Sequence, residues 1–320
     1  MEPRRLGRSG LKVAPICLGG NVFGWTIDEP DSFAVLDAYV EGGGDFFDTA
    51  DSYSRWIPGH TGGESEQILG NWMRARRNRE KIIIATKVGS PMGAIARERG
   101  LSRYWIMQSV ENSLRRLQTD YIDLYQAHYD DPNTPLEETM RAFDDLVRAG
   151  KVRYVGASNY SAWRLTRALW VSDCHGYARY ESLQPLYNLV RRVGYERDLE
   201  PLCLDQGLGV ITYSSLAGGF LSGKYHWGQA LPETARAAAV EKSYFNDRDW
   251  GILDAVEAVA ANYQATPAQI ALAWILSRPG ITAPIASATT VEQARELLGA
   301  ADLQLDAEAL TILGRASAWQ

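Results

Sequence analysis

The chain has 320 residues, 46% hydrophobic and 22% charged, with a formal net charge of −6 at pH 7. That composition belongs to a globular protein large enough to bury a sizeable core, and it excludes a disordered chain, a collagen-like repeat and a small disulfide scaffold. An acidic balance gives no long-range attraction for phosphate backbones or anionic lipid, so nucleic acid and membrane surfaces rank low as partners and a small molecule ranks high. The three cysteines, Cys17, Cys174 and Cys203, are odd in number and far apart, which suits a reducing compartment better than a disulfide framework. No apolar run reaches the roughly 18 to 20 residues of a membrane span, and no signal-peptide core follows the basic N-terminus; the expected location is the cytoplasm.

In chain order, a hairpin is predicted from Arg5 to Val13, turning at Arg8-Ser9-Gly10, then a strand from Ala14 to Leu18 closed by Gly19-Gly20. A helix follows from an Asp31 N-cap to the stop Gly42-Gly43-Gly44, and a second strand covers Phe46 to Asp51. The alternation continues with helix Glu64 to Arg77, strand Ile82 to Lys87, helix Ser102 to Leu117, strand Tyr121 to His128, helix Pro135 to Ala149 and strand Val152 to Ala157. It runs on through helix Ala162 to Val171, strand Glu181 to Leu186, helix Leu199 to Gln206 and strand Gly209 to Tyr213. Helical patterns over Trp250 to Asn262 and Pro267 to Leu276, strand Ile281 to Ala286 and helix Val291 to Leu298 complete eight strand-and-helix units.

Strands such as Ile82-Ile83-Ile84 are apolar on both faces, as expected of parallel strands under crossover helices. With no linker or low-complexity tract, these units predict one domain over residues 1–320: a (β/α)8 TIM barrel with an N-terminal hairpin and large loops over its C-terminal mouth. The longest irregular stretch, Ala217 to Arg248, follows the seventh strand and is expected to be a functional loop.

Active sites of such barrels are built at the C-terminal ends of the strands. Polar residues fall there repeatedly: Asp48, Asp51 and Tyr53, then Lys87, His128, Ser158 and Asn159, Gln184, and Tyr213 with Ser214. Each alone reads as a turn former, a solvated cation or packing; together, at one end of successive strands, they supply the groups that proton transfer needs. A phenol titrates near pKa ~10. An adjacent Lys87 ammonium is expected to lower that value for Tyr53, Asp48 to hold the lysine, and His128 to orient a substrate oxygen. Hydride must come from a cofactor, because no side chain supplies one.

Phe47-Asp48-Thr49-Ala50-Asp51-Ser52-Tyr53, with Thr86-Lys87 and His128, resembles the aldo-keto reductases, barrel oxidoreductases that use nicotinamide without a Rossmann domain. The resemblance spans nearly the whole chain and implies Tyr53 as general acid, tuned by Lys87 and Asp48, with His128 orienting the carbonyl. Gly156-Ala157-Ser158-Asn159 and Ser182-Leu183-Gln184 are similar to the family's carboxamide clamp, implying that Ser158, Asn159 and Gln184 hold the nicotinamide amide. Tyr213-Ser214-Ser215-Leu216-Ala217-Gly218-Gly219 is similar to the segment that stacks on nicotinamide and wraps the pyrophosphate, implying contacts from Tyr213, Ser214, Leu216 and Gly219. Gly19-Gly20-Asn21 resembles the strand-one lip, implying Gly20 and Asn21, while Asp48 also touches the cofactor. At the adenosine end Thr289, Gln293 and Glu296 match the closing segment. The basic residue many members carry there is missing and Leu297 replaces a common asparagine, yet Lys224 matches a lysine some members use for the 2′-phosphate; NADP(H) is favoured and NAD(H) left open.

The substrate implied is an aldehyde or ketone, or an alcohol or sugar in reverse; Trp25, Trp56, Trp227 and Trp250 are expected in mouth loops, where aromatic surface suits both apolar carbonyls and sugar faces. The closing segment and Lys224 also resemble potassium-channel β subunits, which implies a nicotinamide-sensing regulatory subunit as the alternative, although those proteins carry asparagine where His128 stands. Gly218 to Lys224 fits the spacing of a P-loop but continues with Tyr225 where Ser or Thr is needed, and no histidine spacing suggests a metal site.

Overall fold

The computed structural model describes residues 1–319. Strands β1 (Arg4–Arg5) and β2 (Lys12–Val13) pair antiparallel as a hairpin. The eight predicted barrel strands are present as β3 (Cys17–Gly19), β4 (Phe46–Asp48), β5 (Ile83–Val88), β6 (Ile122–Ala127), β7 (Val152–Ser158), β8 (Tyr180–Gln184), β9 (Gly209–Thr212) and β10 (Ile281–Ala286). All are parallel, and β10 pairs with β3 as well as β9, which closes the ring. The fold is a (β/α)8 barrel.

Alternation along each strand stacks two unlike layers inside the ring. The lower layer is apolar: Cys17, Phe46, Ala85, Leu124, Ile211 and Ala283 pack together with Leu6, Val13 and Ala14, so the hairpin plugs the N-terminal end. Arg4 ties that plug down, donating to the carbonyls of Leu276 and Ile281. Two residues further along the same strands the inward positions turn polar, with Asp48, Lys87 and Gln126 all buried. The floor of the mouth is therefore the polar layer of a filled barrel.

The surrounding helices are α1 (Glu29–Glu41), α2 (Glu64–Arg76), α3 (Arg103–Leu117), α4 (Leu136–Arg148), α5 (Ala162–His175), α6 (Val193–Glu196), α7 (Leu199–Gln206), α8 (Ala237–Tyr244), α9 (Asp247–Tyr263), α10 (Pro267–Leu276), α11 (Val291–Gly299) and α12 (Ala307–Ala316). Four differences from expectation have local causes. The first helix is capped by Asp28, whose side chain accepts from the Asp31 amide; Pro30 sits in the first turn, which moves the start upstream of the expected Asp31 cap. Strand β4 stops at Asp48, because Thr49 to Asp51 leave the sheet to form the loop that carries Tyr53. The segment 217–248 is partly ordered as helix α8, and its opening turn is interrupted by left-handed Gly218 and Gly219. Helix α12, capped by Asp306, extends the chain beyond the last predicted element.

Helices α2 and α3 touch where Gly70 lets backbones meet: a Cβ there would lie 2.2 Å from the Arg116 carbonyl oxygen. Gly70→Ala should therefore lower the thermal midpoint, because overpacking against a backbone atom costs about 1–3 kcal/mol while alanine's helix propensity returns only about 1 kcal/mol. A midpoint at or above wild type would show that the helices part freely.

Candidate active site

Asp48, at the end of β4, and Lys87, one residue before the end of β5, form a buried ion pair with Nζ 2.5 Å from Oδ2. The lysine has three N–H groups and all are used: the other two donate to the Thr49 carbonyl oxygen at 2.8 Å and to the Tyr53 hydroxyl oxygen at 3.0 Å. Tyr53 in turn donates to Asp48 Oδ2 at 3.4 Å. The second carboxylate oxygen accepts from Gln184 at 2.8 Å and from Gln126 at 3.2 Å. Gln126 lies directly beside Lys87 in the β5–β6 register. Sequence reasoning missed it, although a lone amide inside an apolar strand, two residues before His128, was a visible signal.

His128 follows β6, its ring edge-on to Tyr53 at 6.2 Å between centroids and stacked on Tyr129 at 4.8 Å. Its Nδ1 lies 3.0 Å from Ser90 Oγ, a second partner that motif reading did not single out. With Ser90 as donor, the ring proton sits on Nε2, ready for an oxygen in the cavity. Burial, with Lys87 adding to it, holds His128 well below the ordinary histidine value, so the ring is neutral.

One electrostatic expectation is corrected. Burial drives the Tyr53 phenol up to about 12; Lys87 pulls it down as expected, but Asp48 pushes up again. The tyrosine is therefore firmly protonated at neutral pH, a stored proton beside a fixed cation. Lys87 itself stands above the ordinary lysine value: burial opposes its charge, and Asp48 and then Tyr53 more than offset that.

Above this floor opens a cavity of about 970 Å³. Asn21, Asp48, Tyr53, His128, Ser158, Asn159, Gln184, Tyr213, Ser214, Leu216, Gly219, Lys224, Thr289, Gln293 and Glu296 all line it. Gly20 does not; it is buried against Ser65, while Gly19 faces the space instead. The amides and hydroxyls of the expected clamp are joined to each other: Ser158 Oγ donates to the Gln184 carbonyl oxygen, and Asn159 bridges the His128 carbonyl oxygen and the Tyr213 hydroxyl. Asn159 and Ser214 both adopt left-handed backbone, a strained conformation that aims these loops inward. Trp25 lines the cavity, but Trp250 is buried among Phe220 and Phe245, and Trp227 packs on Trp250 away from the mouth. Asp51, expected at the mouth, is instead buried outside the barrel wall, facing Glu66 and Arg116.

The rim carries one residue that sequence reasoning missed. Arg236, just before α8, lines the cavity, covers the Trp25 ring at 5.1 Å and leaves Nη2 without a partner. It faces Lys224, whose ammonium lies against Gly219, where a Cβ would meet Nζ at 3.0 Å. Partial shielding by the wall, then Arg236, holds Lys224 below its ordinary value; burial likewise lowers Arg236. No salt bridge to either is formed among the described residues.

A barrel with this polar floor and a large cleft at its C-terminal mouth agrees with the sequence comparisons: the aldo/keto reductase family model matches residues 15–317. The chain belongs to the aldo/keto reductase family. This aldo/keto reductase is 39% identical over 319 residues to the uncharacterized oxidoreductase YrpG of Bacillus subtilis (strain 168), covering 98% of this chain and 95% of that protein. It is 34% identical to a probable voltage-gated potassium channel subunit beta of Arabidopsis thaliana, covering 95% and 92%, and 33% identical to the versiconal hemiacetal acetate reductase of Aspergillus parasiticus, covering 98% and 96%.

Removing one member of a buried ion pair strands the other, at about 3–5 kcal/mol. Lys87→Met should lower the unfolding midpoint accordingly, and adding Asp48→Asn should recover part of the loss. A double variant no more stable than Lys87→Met alone would contradict the coupling.

Proposed function

We propose that this oxidoreductase reduces an aldehyde or ketone with NADP(H), Tyr53 giving the proton. The observation that carries the reading is the Tyr53 phenol 3.0 Å from the buried Lys87 ammonium, on the floor of the cleft. The residues present fit a nicotinamide dinucleotide phosphate. The cleft is large enough, Gly19 keeps its lip open where a Cβ would strike Ser287, and two like charges, Lys224 and Arg236, stand side by side on its wall without a salt bridge to Glu233 or Glu296, the glutamates that also line it. Ser158, Asn159, Gln184 and Tyr213 would hold the nicotinamide end, Ser214, Leu216 and Gly219 the pyrophosphate, Lys224 and Arg236 the 2′-phosphate, and Thr289, Gln293 and Glu296 the adenosine. The bound cofactor supplies the hydride.

The chain's own residues do the rest. His128 Nε2 orients the carbonyl oxygen, and Tyr53 releases its proton to that oxygen as charge develops there. The phenolate left behind is stabilised by the Lys87 ammonium, which Asp48 fixes in place. On the substrate side the wall is aromatic: Trp25 meets Trp56 edge-on at 5.3 Å, Trp56 meets Tyr53 at 6.1 Å, and Tyr129 covers His128. Most of the cleft's hydroxyls and amides, and both its cations, come after β7 to β10, with Arg236 reaching across to cover Trp25. Such a wall offers flat apolar surface to the substrate, an apolar ring or the apolar face of a sugar. The reducing compartment suggested by the three free cysteines is the cytoplasm.

Steady oxidation of NADPH by an aromatic aldehyde such as 4-nitrobenzaldehyde tests the reading. Tyr53→Phe should lower kcat about 10²- to 10⁴-fold while cofactor affinity stays nearly unchanged; wild-type turnover in that variant would remove Tyr53 from the role. A single slow oxidation of bound NADPH without a steady state would favour the sensing subunit instead, the reading suggested by the channel-subunit relative. For the cofactor, Lys224→Ala and Arg236→Ala should each weaken NADPH about 10- to 100-fold, the worth of a charge-assisted hydrogen bond of about 1.5–3 kcal/mol, and leave NADH much less affected. Equal losses for both cofactors would show that neither cation reads the 2′-phosphate.

A further inference from the structure

The loop that carries Tyr53 holds a second carboxyl, Asp51, that the proton-transfer scheme does not use. It is fully buried, and both side-chain oxygens lack a hydrogen-bond partner. The other carboxyls buried as deeply are saturated with donors. Asp48 accepts from Lys87, Tyr53, Gln126 and Gln184; Glu66 accepts from Thr86 Oγ1 at 2.5 Å and Arg116 Nε at 2.7 Å; Asp249 accepts from Arg191, Arg248 and Asn246. A carboxylate stripped of water and of donors is among the costliest groups a protein can bury, and the remedy is to keep the proton.

None of the groups around it donates a hydrogen bond to Asp51. From β5, Lys87 faces Asp51 with all three N–H groups engaged elsewhere. From α3, Arg116 is drawn to Glu66 and Ser113. From α2, Glu66 adds a like charge, and from β6 the Tyr125 hydroxyl, itself unpartnered, faces the same carboxyl. The Ser52 amide on the same loop exerts a small downward pull without hydrogen-bond geometry. Burial and then Glu66 raise Asp51 well above the usual carboxylate range, against Arg116, Ser52 and Lys87.

We propose that Asp51 is carried as a neutral carboxylic acid and is a positioning residue for the proton-transfer site: an uncharged wedge behind Lys87 that leaves the ammonium with Asp48 as its one counter-ion and its charge directed at Tyr53. Ionised, Asp51 would be a second counter-ion outside the barrel wall. It would draw on the same lysine charge that stabilises the Tyr53 phenolate.

Three measurements on the full chain test this. The first is infrared spectroscopy at neutral pH: wild type should show the C=O stretch of a protonated carboxyl, shifted by deuteration and missing from Asp51→Asn. A wild-type spectrum with no such band overturns the proposal, whether or not the variant folds. The second is stability against pH. The folded state keeps a proton that the unfolded chain releases above about pH 4, so wild-type stability contributed by this group is lost as pH rises toward the raised folded value. The folding constant of wild type relative to Asp51→Asn should then fall about tenfold per pH unit across that window. A ratio that stays flat between about pH 5 and about pH 7 means that Asp51 ionises normally. The third rests on the reductase reading: Asp51→Asn, which keeps shape and neutrality, should retain at least about tenfold more kcat than Asp51→Ala, a factor of about 1.4 kcal/mol in transition-state stabilisation, and equal losses would deny the positioning role. The spectroscopic and stability arms need no turnover, so failure of the reductase reading leaves them standing and their failure leaves it untouched.

Discussion

A lysine and an aspartate that water does not reach, held 2.5 Å apart within a closed ring of strands, set the terms for everything above them. Desolvating two such charges costs several kcal/mol for each ion, and their attraction repays it only when the remaining lone pairs and protons are also satisfied. The barrel meets that condition by register. Asp48 ends one strand, Lys87 reaches it from the next, and Gln126 and Gln184 arrive from strands further round the ring to fill the far carboxylate oxygen. A flexible loop could not hold these three groups against one carboxylate without an entropy cost comparable to the gain.

The same pair explains why Tyr53 is a strong proton holder at rest. The cation at 3.0 Å and the anion at 3.4 Å pull the phenol in opposite directions, and burial, the largest influence, decides the outcome. Lys87 acts on the phenolate, when that charge forms, more than on the neutral phenol. In the proton-donating role proposed for it, a tyrosine kept protonated and faced by a fixed ammonium would need little reorganisation, because nothing charged would have to move.

Much of this was legible in the residues. Eight apolar strands alternating with helices could hardly close otherwise, and the Asp48, Tyr53, Lys87 and His128 set follows from the rule that barrel chemistry gathers at strand ends. What the sequence concealed depended on the third dimension. Spacing cannot say whether Asp51, three residues from Asp48, turns into the barrel or out of it; in the folded chain β4 ends at Asp48 and the loop carries Asp51 outside the wall. Arg236 escaped because the loop bringing it beside Lys224 holds no regular pattern, and Gln126 because an amide inside a strand reads as an interruption until its register neighbour is known. The direction of the Tyr53 shift was misjudged for a related reason: a neighbouring cation is visible in a motif, whereas burial is a property of the whole fold.

The cleft is divided by polarity, and that division gives it a direction. Lys224, Arg236 and most of the cleft's hydroxyls and amides come after β7 to β10, while the rings of Trp25, Tyr53 and Tyr129 come from the loops after β3, β4 and β6; Arg236 joins the two sets by covering Trp25. An anionic ligand held by the first set and an apolar one held by the rings would both come within reach of Tyr53 and His128. On the function proposed above, a proton and a second reactant that must converge on one carbonyl would do so where the phenol and the imidazole stand together, and burial of each ligand's own surface would contribute to the orientation that the reaction requires.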